Sequence, residues 1–451
     1  MLAVASGGPC SPFADLPAVV WGAMPDETPA TLPWRSFMPV LAVQFIGTLG
    51  YSIAIPFLVF LVVDFGGEPW TYGFIGAIYS ACQLVGAPIL GRWSDRAGRR
   101  PVLLVSQAGT MVAWLVFLLA LALPLTPLVT LAGASITLPL ALVIVARAID
   151  GLTGGNISVA NAYVADLTQG DKDSRRVVFG RMGMAASLGF ALGPAIAGLL
   201  GALGDGYTAP VIAAAAISGV ATVLCLTLRE PGDRCPDGPG AQPCVTATMG
   251  QQHKRHDRTG DSASPGTLRK PVVLGLLTAT FVLFLAFNLF YAAFPVHASL
   301  ARGWDASRMG VFFTIMAGVM IVAQGPLLQA ASARLSGATV FALGIGLLAL
   351  SFVGFALPSD ATMYAAAAAF AIGNGLSWPT FQARLSDAVS DEEQGAVQGA
   401  ATSAGSAASI VGLVLGGALY GTLEAWLFVA GAALLVVVGI GTPIWFRARE
   451  S

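Results

Sequence analysis

Two ionisable residues stand three apart inside a long apolar run: Arg147 and Asp150, in LVIVARAIDGLTGG. In a helix, that spacing puts both on one face. Charge inside an apolar span is costly and marks function. A carboxyl group there can take up and release a proton, and the adjacent guanidinium sets what the ionised form pairs with. Protonation would remove the charge and favour one arrangement of the protein over another. The other reading of the pair is a fixed ion pair that supports helix packing.

A second concentration of charge is GRWSDRAGRRP, residues 91–101, with one acidic and four basic residues in eleven positions of a chain that is only 10% charged. Gly91 and Gly98 would permit a tight turn. Asp95 is the lone acid among Arg92, Arg96, Arg99 and Arg100. These arginines could simply fix topology, or they could hold elements together.

The elements that position these groups are legible from hydropathy. Of 451 residues, 56% are hydrophobic and 54 are glycine, far from a soluble composition of ~25% charged residues. A bilayer-spanning helix needs roughly 20 apolar residues, and twelve such runs occur, near 36–63, 73–91, 101–123, 136–160, 178–202, 208–228, 271–298, 308–330, 337–357, 361–380, 396–421 and 425–446. Backbone groups must be satisfied inside lipid, so these runs are helices. Strand-type alternation is absent, which excludes an outer-membrane barrel and predicts an all-α integral membrane protein. Basic residues gather after even-numbered spans (Arg92 to Arg100, Lys172 to Arg181, Arg334, Arg384, Arg447, Arg449), with only Arg302 and Arg308 on the other side. This bias places both termini in the cytoplasm, which requires an even number of spans.

The organisation that follows is a cytoplasmic tail (1–34), a six-helix bundle (35–228), a cytoplasmic central loop (229–270), a second six-helix bundle (271–446) and a short cytoplasmic tail (447–451). Residues 1–34 are Pro-rich without Lys or Arg, unlike a secretory signal; Met24 offers an alternative start. The central loop is rich in Gly, Pro and charge. Its Cys235, Cys244, His253 and His256 follow no common zinc spacing, so no metal or cofactor is expected. The remaining cysteines imply no disulfide framework. A net charge of −1 argues against nucleic acid as a partner, and no nucleophile–base pair, HExxH or phosphate-binding loop points to an enzyme.

The halves resemble each other. A shift of 221 puts Gly154 on Gly375 and Asp166 on Asp387, and a shift of 219 puts Gly180 on Gly399, Gly193 on Gly412 and Gly198 on Gly417. Such repetition around a midplane cavity is how many secondary transporters are built.

Several motifs now converge. GRWSDRAGRRPVLL resembles the signature loop of the major facilitator superfamily. YGFIGAIYSACQLVGAPIL (72–90) is similar to span 2 of its drug:proton antiporter branch, which includes the tetracycline-efflux proteins. RAIDGLTGGN (147–156) is similar to the span 4 motif, GFALGPAIAG (189–198) to the Gly-Pro motif that marks antiporters in span 5, and EEQGAVQGAATSAGSAASIVG (392–412) to the start of span 11. The resemblance covers residues 36–446 and implies two pseudo-symmetric six-helix bundles. It implies that Asp95 faces the N-terminal end of span 11, whose dipole favours a negative neighbour, and that Arg96 and Arg99 reach Asp166, latching the cytoplasmic side. It gives Gly189, Gly193, Pro194 and Gly198 a gating role; ordinary glycine packing is the alternative. Many proton-coupled relatives place an acid in span 1, but this span has Gln44, Thr48 and Tyr51 and none, which leaves coupling to Asp150 with Arg147.

Candidates for substrate contact are Gln44, Tyr51, Tyr79, Gln83, Asn156, Asn288, Tyr291, Asn374 and Trp378, each equally readable as a packing contact. His297 is expected at the outer end of span 7 as an interfacial histidine, with a proton-responsive group as the alternative. The leading functional expectation is a proton-driven exporter of small amphipathic compounds, monomeric, in the bacterial inner membrane, with protons, a small-molecule substrate and the lipid bilayer as partners. A sugar or other metabolite transporter of the same fold, and a transport-inactive receptor or partner subunit, are the alternatives.

Overall fold

The computed structural model describes residues 37–54, 57–131, 134–154, 156–168, 172–203, 207–228, 230, 270–389 and 393–447. The N-terminal tail and the Cys/His residues of the central loop lie outside them, as does the side chain of Asn156.

The first half runs α1 (Met38–Ile53), α2 (Leu58–Asp64), α3 (Pro69–Ala97), α4 (Arg99–Ala122), β1 (Pro127–Leu131), β2 (Ala134–Thr137), α5 (Leu138–Thr153), α6 (Asn156–Leu167), α7 (Lys172–Leu203) and α8 (Thr208–Thr227). The second runs α9 (Pro271–Val296), α10 (Ala306–Val322), α11 (Leu328–Ser332), α12 (Gly337–Phe355), α13 (Asp360–Asp387), α14 (Gln394–Leu423) and α15 (Trp426–Arg447). Among the described residues, ten helical spans are long and apolar enough to cross a membrane, and α1 with α2, bent by 42°, make an eleventh. The 28-residue α13 (Asp360–Asp387) is not among them, so ten to eleven spans stand beside the expected twelve, consistent with that count.

The structure departs from the sequence reading in five places. Span 1 is divided into α1 and α2, which meet at a bend. Span 4 breaks at Gly154, between α5 and α6. The charged turn is far shorter than expected: α3 continues to Ala97 and α4 begins at Arg99. Gly91 therefore lies within α3 with nothing within 4 Å of where a Cβ would stand, and it makes no turn; Gly98, at φ 98°, makes it alone. An all-α chain was expected, yet Pro127–Thr137 folds back as an antiparallel hairpin. Two Pro-associated π-helical stretches, His297–Ala301 and Ala323–Leu327, also went unforeseen; loss of a backbone donor at Pro295 and Pro326 favours such local widening.

One cluster of buried apolar residues runs through both halves. Trp114, Phe117 and Phe57 are buried in the first. In the second, Phe290 stacks on Phe370 at 4.8 Å and Phe294 on Phe312 at 4.4 Å.

Repetition in the sequence reappears as repetition in space. Gly193 of α7 lies against Leu49, Ser52 and Ile53 of α1, and its counterpart Gly412 of α14 lies against Leu285, Asn288 and Leu289 of α9. Gly198 of α7 meets Gly310 of α10 across the seam; its counterpart Gly417 of α14 meets Gly73 of α3. In both crossings the backbones approach so closely that a Cβ would overlap the facing chain, the use of small residues typical of membrane helix contacts.

Candidate functional site

Between the halves lies a cavity of about 520 Å³ lined from both sides. It is closed at the end that carries the hairpin. There Gly198 touches Gly310 and Gly73 touches Gly417, and Phe190 of α7 packs edge-on against Tyr291 of α9 at 5.9 Å. A hydrogen bond adds to this closure. Pro295 has no N–H to offer the carbonyl four residues back, which is that of Tyr291, and the Tyr72 hydroxyl of α3 donates to that carbonyl at 2.9 Å. Among the described residues, the opposite end, around Gly98, is less closely joined. Gly180 lies eighteen residues, five full turns, before Gly198 and so faces the same way; Gly399 bears the same relation to Gly417. Among the described residues nothing lies within 4 Å of the Cβ position at either Gly180 or Gly399, and Met184 is 61% exposed.

Arg147 and Asp150 sit in the cavity wall. Both are buried, with Arg147 Nη1 at 3.4 Å from Asp150 Oδ2, a long contact. The guanidinium lies over Trp114 and Phe117, 5.3 and 5.5 Å from the ring centroids, a cation–π environment. Its Nε and Nη2 have no acceptor among the described residues.

Of the nine substrate candidates, seven line the cavity: Tyr51, Tyr79, Gln83, Asn288, Tyr291, Asn374 and Trp378. Tyr51 stacks on Tyr79 at 4.8 Å. Gln83 donates to the Tyr79 hydroxyl and to the Gly154 carbonyl, both at 3.2 Å; it thereby satisfies a carbonyl freed where α5 breaks. Asn288 donates to Ser409 Oγ at 2.9 Å. Asn374 Nδ2 faces the Met320 sulfur at 3.7 Å, a weak acceptor. Trp378 meets Phe284 edge-on at 5.4 Å. Gln44 is a correction: it is buried on α1 and does not line the cavity, since Thr48 and Tyr51 present the neighbouring face. Reading spans 1, 2, 4, 7 and 10 alone missed Phe190, Gln398 and Ser409, which α7 and α14 contribute; the antiporter-like glycine motifs on those helices were the available signal.

At the open end, the Gly98 turn is a hub. Arg99 Nη1 pairs with Asp95 at 2.5 Å and its Nε with Asp166 at 2.7 Å. All three belong to the first half, so the turn's acid is occupied within its own half, and Arg96 is exposed with no ion pair among the described residues. Glu230, just past α8, was missed by the sequence reading. Its two oxygens accept the backbone N–H groups of Arg99 (3.2 Å) and Arg100 (2.9 Å), the unpaired first donors of α4. An acid beside a basic turn on the same side was the signal. Gly189 and Gly193 pack against α1, and Pro194 lies within α7. His297 is buried rather than interfacial, hydrogen-bonded to Tyr420 at 2.8 Å and edge-on to Phe428.

The comparisons with known proteins agree with this geometry. The family profile described as "Major Facilitator Superfamily" matches residues 40–361 and again 276–451. The tetracycline resistance protein of class C from Escherichia coli is 27% identical over 389 residues, 84% of this chain and 89% of that one. The class G protein from Vibrio anguillarum is 28% identical over 381 residues, 81% and 86% of the two chains. The crystal structure of the human organic anion transporter MFSD10 (TETRAN) superposes with a TM-score of 0.63 at 20% identity, covering 91% of this chain and all of that one, and shows the same fold. With the paired helical halves, the central cavity and the glycine crossings in place, the chain belongs to the Major Facilitator Superfamily of membrane transporters and resembles its tetracycline-efflux members.

Proposed function

We propose that the chain exports small amphipathic compounds by alternating access, driven by protons that bind and leave Asp150. The observation that carries this reading is the Arg147–Asp150 pair in the wall of a cavity closed at one end. When Asp150 is ionised, Arg147 has a partner; when it is protonated, the guanidinium must find others, and the balance between the two cavity orientations shifts. Aromatic walls from Tyr51, Tyr79, Tyr291, Phe284 and Trp378, with scattered amides, suit a flat apolar body with a few polar groups. Relatives named for tetracycline resistance support the outward direction.

The basic residues assign the Gly98 end to the cytoplasm, so this conformation opens inward, in a cell membrane, with both termini cytoplasmic. The two bundles, 35–228 and 271–446, move as bodies joined by the loop 229–270, and one chain suffices. In the outward-open state, Asp95 exchanges Arg99 for the N-terminal end of α14, and with Arg96, Arg99, Arg100 and Asp166 latches the inner side; Gly91 is a spectator.

The test is transport in proteoliposomes of the whole chain, with a panel of lipophilic compounds and an imposed pH gradient. Accumulation driven by the gradient in the wild type, and loss of that drive in Asp150→Asn with exchange of bound compound retained, is expected. An Asp150→Asn variant with wild-type rate and pH dependence refutes the role of this carboxyl.

A further inference from the structure

The β1–β2 hairpin stands apart from every other connection at its end of the molecule. No Asp, Glu, Lys, Arg or His occurs from Pro101 to Ala146, so α4 leaves the membrane and α5 re-enters it without a charge between them. The other connections at this end all carry charge: Asp64 and Glu68, Asp205, Arg302 and Asp305, Asp360, and Glu424. Leu125, Leu128 and Val129 are 55, 53 and 58% exposed. Val129 pairs with Ile136, and a bulge at Leu128 interrupts the regular pairing of the ribbon there, with both side chains left exposed. A lone two-stranded hairpin is marginal in water. The exposed apolar side chains also continue a stripe along α4, through Val112, Leu115 and Leu119, the surface that a spanning helix turns to lipid.

We propose that this hairpin is a lipid-binding element that lies in the headgroup and upper acyl region of the bilayer. Continuity with the α4 stripe, the absence of charge and the exposed Leu125, Leu128 and Val129 fit a lipid surface, where apolar side chains gain from burial beside the headgroups. The ribbon is joined to the transport machinery at its base. Thr137, its last residue, donates to the Phe65 carbonyl at 2.7 Å and caps the first turn of α5, accepting from the Leu140 N–H. It thus sets the start of the helix that bears Arg147 and Asp150, and it gives the surrounding lipid a direct hold on that helix.

The probe is the full-length protein with benzoylphenylalanine in place of Val129, reconstituted in vesicles of phosphatidylcholine and phosphatidylglycerol and irradiated. A mass increase of one phospholipid on the peptide that contains position 129 is expected. Adducts between two chains, or none, overturn the proposal, the first in favour of a second copy and the second in favour of a hairpin in water. A second measurement does not depend on photochemistry: Val129→Cys in a chain whose five native cysteines are alanine, labelled with an environment-sensitive fluorophore. Blue-shifted emission quenched by lipid bearing a spin label near its headgroup supports the anchor, and quenching by aqueous iodide instead overturns it.

Discussion

Gly198→Ala tests the seam directly. The added Cβ falls on the Cα and carbonyl carbon of Gly310, both backbone atoms that no rotamer change can move. The helices α7 and α10 would have to part by roughly an ångström to restore ordinary contact, and overpacking of this kind costs about 1–3 kcal/mol. Only the conformation closed at the hairpin end bears that cost. The balance between orientations should therefore move about 5–150-fold away from it. Spin labels on the exposed Val63 and Leu300, one in each half at the hairpin end, would report the shift as a longer-distance population. Gly180→Ala is the internal control on the same helix face. It meets nothing within 4 Å here, so it should leave the distances unchanged or favour the present state. A Gly198→Ala protein with wild-type distances and wild-type transport would refute the assignment of this crossing as the closed gate.

Three further outcomes are expected. Tyr72→Phe leaves the Tyr291 carbonyl without its donor at a cost of about 1–3 kcal/mol, and the same spin labels should move in the same direction as with Gly198→Ala. Glu230→Ala uncaps α4 by removing the acceptor of two N–H groups, worth about 1 kcal/mol; the unfolding midpoint in detergent should fall by about 2–4 °C, and by less in Glu230→Gln. Asp95→Asn should abolish transport while membrane insertion and the yield of purified protein stay at wild-type levels, since Asp95 contributes only an exposed pair in this state.

Much of this architecture was readable from local signals. Apolar runs gave the spans because lipid leaves the backbone no choice but helix, and the paired glycines gave the pseudo-symmetry because close helix approach tolerates nothing larger. The Arg147–Asp150 pair announced itself by being charged where charge is costly. What escaped depended on contacts distant in sequence. Glu230 caps a helix that begins 131 residues earlier, and Tyr72 bonds to a carbonyl 219 residues away. The Gly98 turn illustrates a different limit. Sequence marks both Gly91 and Gly98 as turn formers, yet α3 simply runs on through Gly91, and only the backbone shows that one glycine suffices.

Glu230 has one more effect, as a strain relief. It clamps the chain to the first half at the Gly98 turn, and Lys270, at the other end of the connection, pairs with Glu393 of the second half at 3.2 Å. Each end of the connection is thus tied down within the half it belongs to. The 39 residues between these two anchors could reach about 130 Å if fully extended, several times the ~30 Å of a bilayer core. That contour length exceeds any displacement of one half against the other on the scale of the membrane, so such a displacement would not by itself draw the chain taut at the Gly98 turn. Among the described residues the halves meet along the seam, which is where a single methyl group at Gly198 should be felt.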